Sequence, residues 1–284
     1  MKRFGIIGNP VAGSMSPVLF GAAYEGRYPY DLIDRPTFQE AWQAFLDGYD
    51  GVNVTAPYKQ DACAAVDWLS EGARLSGAVN LVVRRDGLLR GYNTDIAGVE
   101  EALRESGHAF AEALCESGHA FAEALVVGTG GAARAAIVAA LRLGCAVTVI
   151  GRSPEKVAAL AARFACQGMV LQADAPLEAS PDVSQGPGTP AVADEKADAP
   201  LGVPGPSYRP SLVIYTLPGS APVPAGLPLE EAVVLEAEYK RPRLVSAPCK
   251  AYISGRRWLL WQAVAGYSLF TGEEPSLEKI LRAL

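Results

Sequence analysis

Between the apolar run Leu125-Val126-Val127 and an alanine-rich stretch ending near Leu143 stands the turn Gly128-Thr129-Gly130-Gly131. A strand that meets such a turn and passes straight into a helix is the opening of a βαβ unit, so the chain is constrained toward an α/β fold with a parallel sheet. Glycines at Gly128, Gly130 and Gly131 leave the backbone amides bare at a helix N-terminus, where a pyrophosphate can approach. A tight strand-to-helix turn without a ligand is the plainer alternative; the strand-turn-helix context favours a dinucleotide.

The next strand, predicted over residues 146–150, indicates which dinucleotide. An NAD site ends that strand with a carboxylate that holds the ribose 2′-hydroxyl, whereas here Ile150 leads into Gly151-Arg152-Ser153. A carboxylate repels a 2′-phosphate and a guanidinium pairs with it, so Arg152 favours NADP; the alternative is that Arg152 is an ordinary surface residue. Ser153 is expected to cap the following helix, with Pro154 in its first turn and Lys156 one turn in.

Strands and helices alternate along the rest of the chain. Strands are expected over residues 4–7, 52–55, 211–215 and 233–235, with a hairpin of 78–83 and 88–92 around Asp86-Gly87. Helices are expected over 60–69, from Asp95 to Ser106, over 257–270 and over 276–284. A further helix is expected after the capping box that begins at Thr37, carrying Trp42, Phe45 and Leu46. Residues 176–210 are rich in Pro, Ala, Gly and Asp without apolar periodicity and are expected to form a long flexible surface loop.

Residues 102–114 recur almost unchanged as 113–125, with Arg104 replaced by Cys115, a period of eleven residues. One extra copy of so short a unit is a local tandem duplication, spanning residues 105–125, and not a solenoid. Eleven residues are close to three helical turns, so an insertion inside a helix keeps its faces nearly in phase. The chain's two histidines, His108 and His119, are equivalent points of this repeat. That makes a catalytic or metal-binding histidine pair an unattractive idea, and no metal site is expected.

With 284 residues, half of them apolar, the chain can build two modest cores. A net charge of −6 without a basic cluster argues against nucleic acid and for small-molecule partners. The five cysteines show no paired spacing, which fits reduced thiols in a cytoplasmic protein. Neither the amino-terminal run, broken at Gly8-Asn9-Pro10, nor the stretch 258–270 with Gln262 has the length of a membrane segment.

Chemistry enters at Lys59, which closes the run Asn53-Val54-Thr55-Ala56-Pro57-Tyr58-Lys59, and at Asp95 in Asn93-Thr94-Asp95. An ammonium in reach of a carbonyl oxygen can donate a proton as hydride reaches the carbon, and a carboxylate can hold that ammonium in place. A single lysine after a turn is usually solvated; the pairing with Asp95 sets this one apart. Ser14 and Ser16 in Ser14-Met15-Ser16-Pro17, by themselves a turn or a helix cap, join Thr55, Asn80, Asn93 and Gln262 as neutral hydrogen-bonding groups suited to a polyhydroxy acid. An acid/base group in one region and a dinucleotide turn in the next is the layout of a two-domain reductase.

On these landmarks, together with Gly77-Ala78-Val79-Asn80 and Gly128-x-Gly130-Gly131-Ala132, the chain resembles the shikimate dehydrogenase family over nearly its whole length. The resemblance implies reversible NADPH-dependent reduction of 3-dehydroshikimate to shikimate in aromatic amino-acid biosynthesis, with Lys59 and Asp95 as the catalytic pair. It further implies that Ser14 and Ser16 hold the substrate carboxylate. Thr55, Asn80, Asn93 and Gln262 would then contact the ring oxygens, Tyr239 would be a further substrate contact, and Gly128, Gly130, Gly131, Ala132, Arg152 and Ser153 would bind the cofactor. The implied architecture is an N-terminal α/β substrate domain, residues 1–101 and 256–284, and a Rossmann-like domain, residues 102–255, with the C-terminal helices returning to the first. A monomer or homodimer is expected. A quinate/shikimate dehydrogenase using NAD or NADP, and a non-catalytic shikimate-binding relative, are the alternatives. The chain departs from the family pattern at four places. Gly13 stands where many relatives have His, Gly151-Arg152-Ser153 replaces Asn-Arg-Thr or Asn-Arg-Ser, Tyr215-Thr216-Leu217-Pro218 replaces Asn-Ala-Thr-Pro, and Glu236-Ala237-Glu238-Tyr239 replaces Asp-x-x-Tyr.

Overall fold

The computed structural model describes residues 1–107, 123–171 and 208–284. Two six-stranded sheets organise it. The first runs β2 (Tyr30–Asp34), β1 (Phe4–Gly8), β3 (Gly51–Val54), β5 (Leu81–Arg85), β6 (Leu88–Tyr92) and β4 (Trp68–Leu69). It is parallel at β2, β1 and β3 and antiparallel across β3, β5 and β6. The second runs β12 (Ala251–Ile253), β11 (Val233–Glu236), β10 (Leu212–Tyr215), β7 (Glu123–Val127), β8 (Ala146–Gly151) and β9 (Gln167–Val170), with every pair parallel. Read from its far edge, this is the doubly wound order 3-2-1-4-5-6, whose switch point lies between β7 and β10.

Each sheet is buried on both faces. In the first, Ile7, Val52, Val54 and Val82 pack under α2 (Phe38–Gly48) and α3 (Lys59–Ala65), near α4 (Glu71–Ser76). On the other face, Phe4, Leu81 and Val83 meet α1 (Ser16–Ala23), α8 (Gly255–Thr271) and α9 (Leu277–Ala283) through Phe20, Leu260, Tyr267, Phe270 and Ile280. Phe270 stacks on Phe4 at 5.0 Å between ring centroids, so the end of the chain is built into the first sheet's core.

In the second sheet alternate residues go to opposite sides. Ala124 and Val126 join the cluster formed with α5 (Asp95–Glu105), α6 (Gly131–Arg142) and α7 (Pro154–Phe164). Leu125 and Val127 join one formed with Leu229 and Leu244 from the connecting segments. Helix α5 contributes Ile96, Val99 and Leu103 to the same cluster as Trp258 of α8, and it packs against both α6 and α8.

Several sequence expectations are corrected. The helix expected over 60–69 ends at Ala65, because Asp67 turns to exchange bonds with Leu89, accepting its N–H at 2.7 Å and donating its own at 2.9 Å, and Trp68 pairs with Arg90 as β4. The hairpin is present, with Asp86 and Gly87 at positive φ, but its first strand starts at Leu81. Elements α1, α4, β2, β9 and β12 were not anticipated. The duplication does not lie within one helix: α5 ends at Glu105, and the last residues of the second copy open strand β7. His108, His119, Cys115 and the expected loop up to residue 207 lie outside the described residues.

Candidate active site and nucleotide cleft

Strand β3 delivers the chain to the turn Thr55–Tyr58, closed by Tyr58 N–H on Thr55 O at 3.0 Å, and the turn sets Lys59 as the first residue of α3. The lysine stem then runs along the start of α6. A Cβ on Gly131 would come within 2.9 Å of Lys59 Cδ, so a larger residue there would force that stem to shift. Its ammonium donates to Asp95 Oδ2 at 2.6 Å, with both side chains largely shielded from solvent. Asp95 is the first residue of α5, where the helix's positive end favours a carboxylate.

A cavity of about 200 Å³ opens beside this pair. Ser14, Ser16, Asn53, Thr55, Asn80, Tyr239 and Gln262 line it along with Lys59 and Asp95. Ser14 Oγ donates to Ser16 Oγ at 3.2 Å at the entrance to α1. Asn80 is tied to Thr94, accepting its N–H at 2.7 Å and donating to its hydroxyl at 3.0 Å. The Thr94 hydroxyl lies 3.4 Å from Gln262 Oε1, so the residues that lead into β5 and α5 are joined to α8 by one polar chain. Burial raises the Tyr239 phenol above its ordinary value, against the opposing Met15 backbone and Ser14 hydroxyl, and the ring therefore stays a neutral donor.

Asn93 stands apart from the other expected contacts. It is not among the lining residues; its amide donates to Ser76 Oγ at 2.9 Å and Ala78 O at 3.0 Å, and its Oδ1 accepts the Asp95 N–H at 3.2 Å. Asn93 thereby positions Asp95. Asn53 and Trp258 also line the cavity, and no sequence motif assigns either of them a role. Asn53 Oδ1 accepts the Tyr30 hydroxyl at 2.6 Å, and burial holds that phenol well above its ordinary value. The available signal for Asn53 was a lone amide in an apolar strand.

A second hollow, of about 540 Å³, lies between the 55–60 turn and the glycine turn. Thr129, Gly130, Gly131, Ala132, Arg134 and Lys156 line its far wall. Gly128 sits at φ +122°, and a Cβ there would fall 2.3 Å from Thr216 Oγ1, which itself donates to Val127 O at 2.7 Å. No side chain caps the start of α6, so its first amides face the hollow as an anion site. These features fit a dinucleotide pyrophosphate. Arg152 is exposed beyond the end of β8, and Ser153 uses its hydroxyl to accept the Lys156 N–H at 3.3 Å; neither lines the hollow. Ala132 borders both spaces.

Among the described residues no group of three or more His, Cys, Asp or Glu is placed to hold a metal ion. No described helix is long and apolar enough to cross a membrane.

Residues 6–82 match the family model described as the shikimate dehydrogenase substrate binding domain. The chain is 34% identical to a shikimate dehydrogenase (NADP(+)) of Rubrobacter xylanophilus, covering 99% of this chain and 94% of that protein. It is 31% identical to the protein of that name from Thermus thermophilus, covering 97% and 94%. A crystal structure of the Thermus thermophilus shikimate 5-dehydrogenase in complex with NADP(H) and shikimate superimposes with a TM-score of 0.70 at 30% identity, over all of both chains. The chain belongs to the shikimate dehydrogenase family.

Proposed function

We propose that this protein is an NADP-dependent shikimate dehydrogenase that reversibly reduces 3-dehydroshikimate to shikimate. The observation that carries the reading is the position of Lys59: its ammonium is 2.6 Å from Asp95 inside the polar cavity, while its stem lies against Gly131 at the edge of the nucleotide hollow. Relatives more than 30% identical over nearly all their length carry that name, and one was crystallised with both NADP(H) and shikimate.

The bound cofactor supplies hydride at the carbonyl carbon. Lys59 donates the proton that the carbonyl oxygen needs as charge grows on it, and takes it back in the reverse direction. Asp95 holds the ammonium toward the cavity and balances its charge, and Asn93 fixes Asp95 in turn. Ser14 and Ser16 take the substrate carboxylate; Thr55, Asn80, Gln262 and Tyr239 hold the ring oxygens, with Asn53 beside them. The pyrophosphate rests on Gly130, Gly131 and Ala132, and Arg152 with Lys156 receives the 2′-phosphate, which supports NADP over NAD.

We draw the domain limits at residues 1–101 with 256–284 and at 102–255, although α5 places its apolar residues in the second sheet's cluster while it packs against α8. Cytoplasmic aromatic amino-acid biosynthesis fits the free cysteines Cys63, Cys145, Cys166 and Cys249, and a monomer or homodimer is the expected assembly.

The test is shikimate-dependent reduction of NADP⁺, with quinate and NAD⁺ in parallel and Lys59→Ala as control. Turnover with shikimate and NADP⁺ that is lost in the variant is the expected result. No turnover with any pair would overturn the assignment.

A further inference from the structure

The charges lining the substrate cavity cancel. Lys59 and Asp95 pair at 2.6 Å, and every other lining side chain is neutral. The whole chain carries a net charge of −6. A carboxylate substrate is an anion at neutral pH, so hydroxyls and amides alone would have to draw it out of water into a cavity with no net positive charge.

A cation stands beside Gly13, the residue before Ser14, although Lys240 is not itself among the residues lining the cavity. Gly13, at φ +75°, carries no side chain, and an ideal Cβ built there would lie 3.7 Å from Lys240 Nζ. The ammonium of Lys240 therefore occupies the direction that a side chain at position 13 would take. Lys240 follows Tyr239, whose ring lines the cavity, and its Nζ is 5.8 Å from that ring's centroid. Its backbone is pinned, since Glu238 Oε1 accepts the Lys240 N–H at 2.7 Å and Glu238 Oε2 accepts the Gly219 N–H at 2.9 Å. Glu238 is a competing charge whose carboxyl Lys240 helps to lower, but that carboxylate also accepts three backbone N–H groups.

We propose that Lys240 recognises the substrate carboxylate, its ammonium adding the positive charge that the Ser14–Ser16 end of the cavity lacks. The inference rests on the reading of the cavity as a site for a carboxylate-bearing substrate. It adds a residue from the nucleotide-binding half to that end of the cavity.

Lys240→Met keeps most of the stem and removes the charge, Lys240→Arg keeps the charge, and the methyl ester of shikimate removes the charge from the other partner. Steady-state kinetics of both enzymes with acid and ester form the test. Lys240→Met should raise KM for shikimate about fivefold, the upper range for a partly exposed ion pair, and move kcat less. KM for the ester should stay the same in both enzymes, Lys240→Arg should restore the value for the acid, and added salt should bring wild-type kcat/KM for the acid toward that of the variant. Equal effects on acid and ester, as a purely structural lysine would give, or no effect on either, would overturn the proposal. Turnover of shikimate by the wild type with such an outcome refutes Lys240 alone. A wild type that neither binds nor oxidises shikimate refutes the enzyme assignment and this inference together.

Discussion

Lys59 is constrained along its whole side chain, the stem by Gly131 and the ammonium by Asp95. Lys59→Ala should lower kcat by about 10² to 10⁴, the usual worth of a positioned acid/base, with a much smaller change in KM, because the proton is needed chiefly in the transition state. Steady-state rates in both directions would check this, and near-normal kcat would remove Lys59 from the mechanism. Gly128→Ala places a side chain at φ +122° and against Thr216. It should cost about 1–3 kcal/mol and weaken NADP⁺ binding, read from thermal unfolding with and without the nucleotide. Arg152→Ala should raise KM for NADP⁺ several-fold and leave that for NAD⁺ unchanged; parallel changes would free the 2′-phosphate assignment from Arg152. The Lys59–Asp95 pair was legible because the chemistry demands those functional groups. Asn93 was less legible: its amide suits a hydroxylated ring, and only the packing around Ser76 and Ala78 shows what it bonds to in the fold.

The segment that follows β11 shows how an element end is held. Glu236 is fully buried and its carboxylate accepts the Arg243 and Leu244 N–H groups at 2.7 and 3.1 Å and the Tyr252 hydroxyl at 2.8 Å. Glu236→Ala strands three donors, and urea unfolding should show a loss of about 3 kcal/mol or more, at roughly one per unmet group. For Glu238 burial raises the carboxyl, but the N–H groups of Gly219, Lys240 and Arg241 outweigh it and leave it below its ordinary value of 4.5. A lowered folded value means stability that is complete above about pH 4.5 and is lost as pH falls through the folded value. Glu238→Gln should remove that part of the acid dependence, and an unchanged slope between wild type and variant would contradict it. Long periodic elements such as α2 and α8 were readable from sequence. The two-residue strand β4 was not, since Trp68 and Leu69 have no period of their own and become a strand only by pairing with β6.

Across the whole molecule, α5 is the shared element, packed on α6 and α8 while its first residue holds Lys59. Glu105 at its end accepts from Trp261 Nε1 at 3.0 Å and pairs with Arg257 at 3.3 Å. Deleting residues 105–115 removes one copy of the duplication and brings Glu116 into the place of Glu105. The shortened chain should remain soluble, unfold cooperatively and keep its KM for shikimate; loss of folded protein would show the second copy to be structural. The duplication also separates what is local from what is not. Glu101-Ala102-Leu103 is helix in α5, whereas the same tripeptide at Glu123-Ala124-Leu125 is strand in β7, because there it lies between β8 and β10. By itself the amino-acid sequence determined the α/β order, the glycine turn and the inventory of reactive groups, since periodicity, backbone freedom and functional-group chemistry are properties of short stretches. Only the tertiary structure decided that Lys59 meets a carboxylate 36 residues away, that Asn93 serves Asp95, and that Lys240 reaches the space beside Gly13. Those contacts depend on how two sheets pack around α5 and α8, and no local pattern carries that information.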